Sequence, residues 1–441
     1  MERRTGFLVG IGGVLVLTAC VAADDWPQWR GPNRDGVWRE TGIVRRFATE
    51  RLEPVWRVPI GSGYSGPTVA DGRVFVTDRV LEPQEMERVH CFDAKNGARL
   101  WSYEYVCPYD GIGYKAGPRA SVTIDDHRAY ALGAMGHLHC FDVATGTVLW
   151  KRDLNRDYQI QDPKLRDDRM PIWGIAAAPL VYKDLLILHI GGREGACVVA
   201  LDKKDGDEVW RALNDRAQYS APILIEQGGQ PVCVVWTGDS VAGLDPATGK
   251  VYWRHPLAPR NMPIGIATPV VEKDRLFVTS FYDGSLMLRL AQDRPAVEQL
   301  WRIAGRDERN TEALHSIIST PLMLGDYLYG VDSYGELRCL DARTGERIWE
   351  DQTATPRERW SNIHMVRHGE DIWMFNERGE LIIGRLSPQG FQEIDRAKLI
   401  DPTPEQLRRR DGVAWSHPAF ANRRVYARND RELLCVSLEA E

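Results

Sequence analysis

The stretch Asp341-Ala342-Arg343-Thr344-Gly345-Glu346-Arg347-Ile348-Trp349 decides the fold, because its spacing of Asp, three residues, Gly, three residues, Trp recurs along the chain. The same pattern stands at Asp93–Gly97–Trp101, Asp142–Gly146–Trp150, Asp202–Gly206–Trp210 and Asp245–Gly249–Trp253. An Asp side chain bonds its own backbone and starts a turn, and Gly takes a positive φ there at no steric cost. The product is a short hairpin loop, with Trp on the outgoing strand. Before each Asp lies an alternating run, such as Val89-His90-Cys91-Phe92 or Leu138-His139-Cys140-Phe141. Alternation of that kind reads as a half-buried strand.

Other copies are degenerate. Leu288-Arg289-Leu290, followed by Trp301, has lost the Asp and Gly, and Leu381 to Leu386, followed by Phe391 and Ile394, has lost the Trp as well. Trp56 has no hairpin before it, and Leu433 to Leu438 has no Trp strand after it. Outer-strand positions therefore fall at 56, 101, 150, 210, 253, 301, 349 and 394. The intervals, roughly 43 to 60 residues, suit four-stranded propeller blades. In blade six the strands are expected at Ser319 to Leu324, Tyr327 to Asp332, Glu336 to Asp341 and Arg347 to Asp351. Pro54 to Pro59 supplies the outer strand missing from the blade that ends at Leu438. That pairing closes the ring and removes open sheet edges. The expected fold is all-β: an eight-bladed β-propeller of four-stranded antiparallel blades, closed by an N-terminal strand. It occupies residues 51–441, behind an N-terminal arm at 21–50.

Residues 1–20 read as an export signal. Met1 to Phe7 carries the Arg3-Arg4 pair, and Leu8 to Ala19 is apolar but too short to span a bilayer as a mature helix. Leu17-Thr18-Ala19-Cys20 resembles a bacterial lipobox, which would make Cys20 a lipidated first residue. Val21-Ala22-Ala23 equally suits ordinary signal peptidase. Either route places the mature chain in the periplasm or on a membrane of a bacterial envelope. The net charge of −6, with 27% charged residues, gives no basic footprint for nucleic acid. No polybasic run addresses an anionic membrane, so membrane contact is expected only through a lipid at Cys20.

Cys91, Cys140, Cys339 and Cys435 hold one place in the third strand of different blades. Blade separation puts them too far apart to pair, and they read as small buried hydrophobes. Cys107, Cys197 and Cys233 show no disulfide or metal spacing. His137 and His139 share one strand face with no third ligand, so no metal site is expected.

In a propeller the first strand of each blade lines the central channel, and the loops entering those strands converge on one face. Aligning the first strands by Ser65-Gly66-Pro67 and Ser220-Ala221-Pro222 places Tyr64, Arg119, Ala176, Tyr219, Ile266, Ile318, Trp360 and Trp415 near the mouth. Trp173 and His315 lie in the entering loops. Tyr64, Arg119, Trp173, Tyr219, His315, Trp360 and Trp415 then form a pocket with aromatic walls and one cation, suited to a planar or sugar-like anion. The same aromatics also suit a plain channel plug. No catalytic set emerges, since a carboxylate such as Glu312 has no partner. The loop from Asp153 to Ile172 carries Asp162, Lys164, Arg166, Asp167, Asp168 and Arg169, and loops of that length are often functional. The loop from Tyr105 to Pro118, with Tyr109, Tyr114 and Lys115, is expected beside it.

Asp-Ala-Lys-Asn-Gly at 93–97, Asp-Pro-Ala-Thr-Gly at 245–249 and Asp-Ala-Arg-Thr-Gly at 341–345, each before a Trp, resemble the pyrroloquinoline-quinone (PQQ)-like propeller repeat family. The resemblance covers about residues 50 to 438. Asp25-Trp26-Pro27-Gln28-Trp29-Arg30-Gly31-Pro32 resembles the opening of exported members, many of them similar to the outer-membrane assembly lipoprotein BamB. This resemblance implies a non-catalytic scaffold or recognition module without a cofactor, whose partner is another envelope protein or a small axial ligand. It also implies an alternative, a quinoprotein dehydrogenase that uses PQQ with calcium to oxidise alcohols or sugars. In that reading Arg119 with Trp360 or Trp415 holds the planar quinone, and Asn261, Asn310 and Asn362 lie in plausible loops for the ion. The adjacent Cys-Cys pair of many PQQ alcohol dehydrogenases is absent.

Overall fold

The nine-residue repeat forms the joint between neighbouring blades. The structure, a computed structural model, describes residues 25–161, 169–408 and 411–440. Asp93 Oδ1 accepts the backbone N–H groups of Lys95 and Asn96, and the Gly97 N–H returns to the Asp93 carbonyl. Gly97 sits at φ +73°, where a side chain is strained, and its bare Cα has a second use. A Cβ there would stand 2.8 Å from the ring of Trp56, which belongs to the preceding blade. Gly146 receives Trp101 in the same way, Gly206 receives Trp150, Gly249 receives Trp210, and Gly345 receives Trp301.

Each of these indoles also donates its N–H to the carbonyl just after the neighbour's Asp. The acceptors are Ala94, Val143, Lys203, Pro246 and Ala342, at 2.9–3.2 Å. Blade five has lost the motif, and a glutamine relay replaces it. Trp253 donates to Gln227 Oε1, and the Gln227 amide donates onward to Ala291 and Ala296 of blade five. Across the strand pair from Trp101, Trp150, Trp349 and Trp56 stand Cys91, Cys140, Cys339 and Cys435. The cysteines are small enough to leave room for the rings. All seven described cysteines are buried and free.

Among the described residues the strands form eight four-stranded antiparallel sheets. Blade one runs outward from the axis as Thr68–Ala70, Arg73–Val80, Met86–Asp93 and Arg99–Val106. Blades two to seven repeat the order and end on the outer strands Val148–Asp153, Glu208–Ala212, Val251–Pro256, Val297–Ile303, Arg347–Asp351 and Gly390–Lys398. Blade eight takes Ala419–Ala421, Arg424–Arg428 and Glu432–Ser437, then borrows Trp56–Pro59 as its outer strand. The expected closure is therefore present, and every outer-strand position of the repeat falls on an outer strand.

Inner strands are shorter than the alternation predicts. In blade six only Leu322–Leu324 pairs, not the run from Ser319. Near the axis the blades converge, and these residues bond sideways instead. Ser319 Oγ accepts the Ile363 N–H of blade seven, and Thr320 Oγ1 accepts the Thr268 N–H of blade five.

The arm runs across the face where the inner hairpins turn. Asp25 accepts the N–H of the turn residue Asp71, Trp26 exchanges backbone hydrogen bonds with Val69, and the Pro27 carbonyl accepts from Ile124. Arg34 is buried at φ +55° and donates to carbonyls of Ala178, Pro179 and Pro222. Burial pulls its pKa down to about 9. The carbonyl dipoles of blades three and four satisfy a guanidinium that has no carboxylate among the described residues. Trp29 Nε1 donates to Thr268 Oγ1 in blade five, Val37 bridges to Arg367 in blade seven, and Glu40 accepts the Arg423 N–H in blade eight. One segment thus touches seven of the eight blades.

No helix among the described residues is long and apolar enough to cross a membrane. The signal at 1–20, Cys20 and the charged residues Asp162, Lys164, Arg166, Asp167 and Asp168 lie outside the described residues.

Replacing Trp210 by Ala removes both the ring against Gly249 and the indole hydrogen bond, and is expected to cost about 3–5 kcal/mol. Val209→Ala, next to it and exposed, is expected to change stability by less than about 0.5 kcal/mol. Urea unfolding midpoints of the two variants check the contrast.

Candidate functional site

Residues entering the first strands alternate, so every second side chain faces the axis. The eight mouth positions from the alignment, Tyr64, Arg119, Ala176, Tyr219, Ile266, Ile318, Trp360 and Trp415, all line one axial cavity. Two residues deeper, Ser121, Ala178, Ala221 and His417 line it as well, with His364 below. The cavity leaves about 160 Å³ for the centres of water molecules. That is on the order of ten times what a single water needs.

Trp29 of the arm lines the other end. Its ring meets His417 edge-on, with centroids 4.4 Å apart, and His364 at 6.5 Å. The arm therefore stops the channel and turns it into a blind pocket. Tyr114, at φ +53°, stands at the mouth in edge contact with Trp173 at 5.3 Å and Trp360 at 5.7 Å. Trp173 stacks on Tyr219 at 5.2 Å, and its N–H donates to the Tyr219 hydroxyl. The Gly113 N–H donates to the Ile172 carbonyl, so the two loops expected side by side are joined.

Of the seven residues singled out for a pocket, six meet here: Tyr64, Arg119, Trp173, Tyr219, Trp360 and Trp415. His315 does not. It is fully buried between blades five and six, where Nε2 accepts the Gly305 N–H and Nδ1 donates to the Phe281 carbonyl. Ile317 and Ile318, just after it, take the axial places. The alignment by itself missed Trp29, Tyr114, His364 and His417. Period-two extension from Trp360 and Trp415 finds the two histidines. Nothing in the repeat points to Trp29, which lies outside it.

Most polar groups of the lining are already committed. The Tyr64 hydroxyl donates to the Gln406 carbonyl, the Trp415 indole to Glu377, and His364 Nε2 to the Trp415 carbonyl. Ser121 Oγ lies 2.7 Å from His417 Nε2, and His417 Nδ1 faces the Pro418 carbonyl. With Nδ1 the donor, the ring is neutral and Ser121 donates. Burial lowers the His364 pKa to about 4 and the His417 pKa to about 3, so both stay neutral at pH 7.

Arg119 brings a positive charge to the lining. Its guanidinium is held by backbone carbonyls of Gly113, Tyr114 and Gly117 and lies 5.1 Å over the Tyr64 ring. No carboxylate pairs with it among the described residues.

Calcium takes six to eight oxygens, carboxylates among them. The lining contains no Asp or Glu. Asn261 and Asn310 are exposed, and the Asn310 amide is bound to Asp307. Asn362 is buried, with neither amide atom bonded to protein. Glu377 behind the wall accepts from Ser361 and Trp415. The side chains at the axis do not fit a calcium-bound cofactor.

Fold and site define an eight-bladed propeller with a blind aromatic pocket on its axis. The chain belongs to the family described as outer membrane protein assembly factor BamB, whose pattern it matches over residues 85–351. The BamB of Shewanella oneidensis is 25% identical over 207 residues, 43% of this chain and 51% of that protein. The chain thus spans about half the length of the curated relative it matches. Among solved structures, BamB from Moraxella catarrhalis is similar at TM-score 0.57 and 18% identity, over 88% of this chain and 98% of that one. A quinohemoprotein alcohol dehydrogenase from Comamonas testosteroni is similar at TM-score 0.66 and 13% identity, over 95% and 81%. At these identities the likeness is one of fold.

The two buried histidines carry a pH dependence of stability. The unfolded chain protonates them near pH 6.5, whereas the folded protein keeps them neutral down to about pH 4 and 3. Between those values the unfolded state binds more protons, so stability falls as pH falls. His417→Gln is expected to flatten the decline of melting temperature between pH 6.5 and 4 relative to the parent. Scanning calorimetry across that range measures it.

Proposed function

We propose that this protein is an exported, non-catalytic recognition propeller of the bacterial envelope, anchored by a lipid at Cys20, that holds another envelope protein on its loop face. One observation carries the reading. Tyr64, Trp415, His364 and the Ser121–His417 pair are bonded within the protein, and the two histidines are buried and neutral. With its pKa lowered by burial to about 3, His417 is a weak base for the Ser121 hydroxyl that it accepts from. Membership of a family named for outer membrane protein assembly supports a partner among the proteins that build that membrane. The arm covers one face, which leaves the face of the entering loops, with Tyr105 to Pro118 and Arg169 to Ile172, for the partner.

The second reading, a quinoprotein dehydrogenase, draws on the similarity to the Comamonas testosteroni enzyme. The missing carboxylate ligands weigh against it.

Two measurements separate the readings. A photo-crosslinker at the exposed Lys115 on the loop face is expected to trap an envelope protein in cells, and one at Asp126 on the arm face is not. Calorimetric titration with PQQ, with and without calcium, is expected to give no heat. Micromolar binding together with dye reduction in the presence of an alcohol would replace the scaffold by the enzyme.

A further inference from the structure

We infer that the arm face carries a binding site for the phosphate of an anionic phospholipid headgroup, in an open cavity between blades eight and one. The inference rests on the lipid-anchored reading above and deepens it, by naming the side that meets the bilayer. The cavity leaves about 520 Å³ for the centres of water molecules. Arg73, Lys95 and Arg424 line it, with Asn422, Leu100 and Tyr426. The sequence holds no polybasic run, but closure of the ring brings residue 424 beside residues 73 and 95.

Comparison between blades shows that this charge is left over. Arg275 holds in blade five the place that Arg424 holds in blade eight, first in the second strand. Arg275 is neutralised by Asp326, at 2.9 Å in the inner turn of the next blade. In blade one the matching turn residue is Gly72, at φ +69°, where a Cβ would meet nothing within 4 Å. Arg424 therefore spends its donors on the carbonyls of Ala94 and Lys95, and Arg73 on its own turn at Asp71. Asp71 and Asp93 line the cavity too. No carboxylate lies within ion-pair distance of Arg73, Lys95 or Arg424 among the described residues. Asp93 Oδ1 is taken by N–H groups of its own loop. Arg73 Nε and Asn422 Nδ2 are shut off from water without an acceptor. An entering phosphate meets cations with no acid to displace, which is the setting for charge-assisted hydrogen bonds.

Position selects the source of the phosphate. Asp25 is the first described residue, and its carboxylate accepts the N–H of Asp71 at the cavity wall. Cys20 lies five residues earlier, and five residues span at most about 18 Å. A lipid at Cys20 thus keeps the cavity within reach of headgroups. Leu100, which lines the cavity, is 47% exposed and offers apolar surface to the glycerol end of a lipid. A zwitterionic headgroup brings its own cation to its phosphate, whereas an anionic one leaves that charge to basic side chains of the protein.

Co-sedimentation of the unlipidated mature chain with vesicles tests the inference. Vesicles of phosphatidylcholine with an equal share of phosphatidylglycerol are expected to carry the chain down, and vesicles of phosphatidylcholine alone are not. Arg424→Gln should weaken binding about fivefold, the contribution of one basic side chain. Because Arg424 also ties two blades together, a second variant keeps it in place. Gly72→Asp gives the turn the carboxylate that blade six has, in a backbone conformation Asp tolerates, and should weaken binding at least as much. Lys250→Gln, an exposed cation across the ring in blade four, should leave binding unchanged. Equal sedimentation with both vesicle types overturns the headgroup assignment. Full binding in both Arg424→Gln and Gly72→Asp, or an equal loss in Lys250→Gln, overturns the site. Release from the vesicles by micromolar inorganic phosphate overturns the lipid as the source. The mass of the N-terminal peptide recovered from membranes reads lipidation at Cys20 separately, so failure of the anchor and failure of the site are distinguishable.

Discussion

Five of the eight joints between blades depend on one contact: a tryptophan of one blade lying on the bare glycine of the next blade's turn, with its indole N–H on the adjoining carbonyl. Each sheet alone is a twisted four-stranded ribbon with two apolar faces to cover. The contact fixes how each neighbour covers them, because ring and hydrogen bond together set both spacing and rotation. It also explains the repeat more fully than turn chemistry does. Asp shapes the loop, Gly keeps it low enough for the foreign ring, and Trp reaches on to the following blade. Where one element is lost, another part of the interface substitutes, as Gln227 does beside blade five.

A closed ring of eight leaves an axial hole that the blades themselves do not fill. The arm settles that at one face. Trp29 and Arg34 are odd choices for a surface segment and sensible ones for a stopper. The indole packs on the histidines of blades seven and eight, and the guanidinium collects carbonyls from blades three and four. What remains of the channel is a pocket open on the loop side, with one positive charge near its rim.

Much of this was legible in the sequence because a propeller repeats its geometry. A fixed spacing gives the blade, the blade gives the register, and the register puts Tyr64, Arg119, Tyr219, Trp360 and Trp415 around one axis without knowledge of any distance. Failures came where the repeat has no say. His315 sits in a loop of its own length, and three residues of drift exchange an axial place for one between blades. Trp29 precedes the repeat altogether, so no alignment could assign it a depth. Inner strands were drawn too long, since alternation continues through residues whose partners lie sideways in neighbouring blades. Chemistry was the least legible of all. Whether a histidine is a base or a packed neutral ring depends on what surrounds it, and His364 and His417 show the second case.

The stopper also imposes an order of events on the chain. Residues 29 and 40 leave the ribosome early, yet they bond to Thr268 and Arg423, 239 and 383 residues downstream. The outer strand at Trp56–Pro59 waits likewise for Glu432–Ser437. A nascent chain therefore cannot complete its core from the leading end, however much of it has emerged. Such distant closures make folding slow. Native-state hydrogen exchange would then be expected to find the arm and blade eight opening together, as one cooperative unit spanning both ends of the polypeptide.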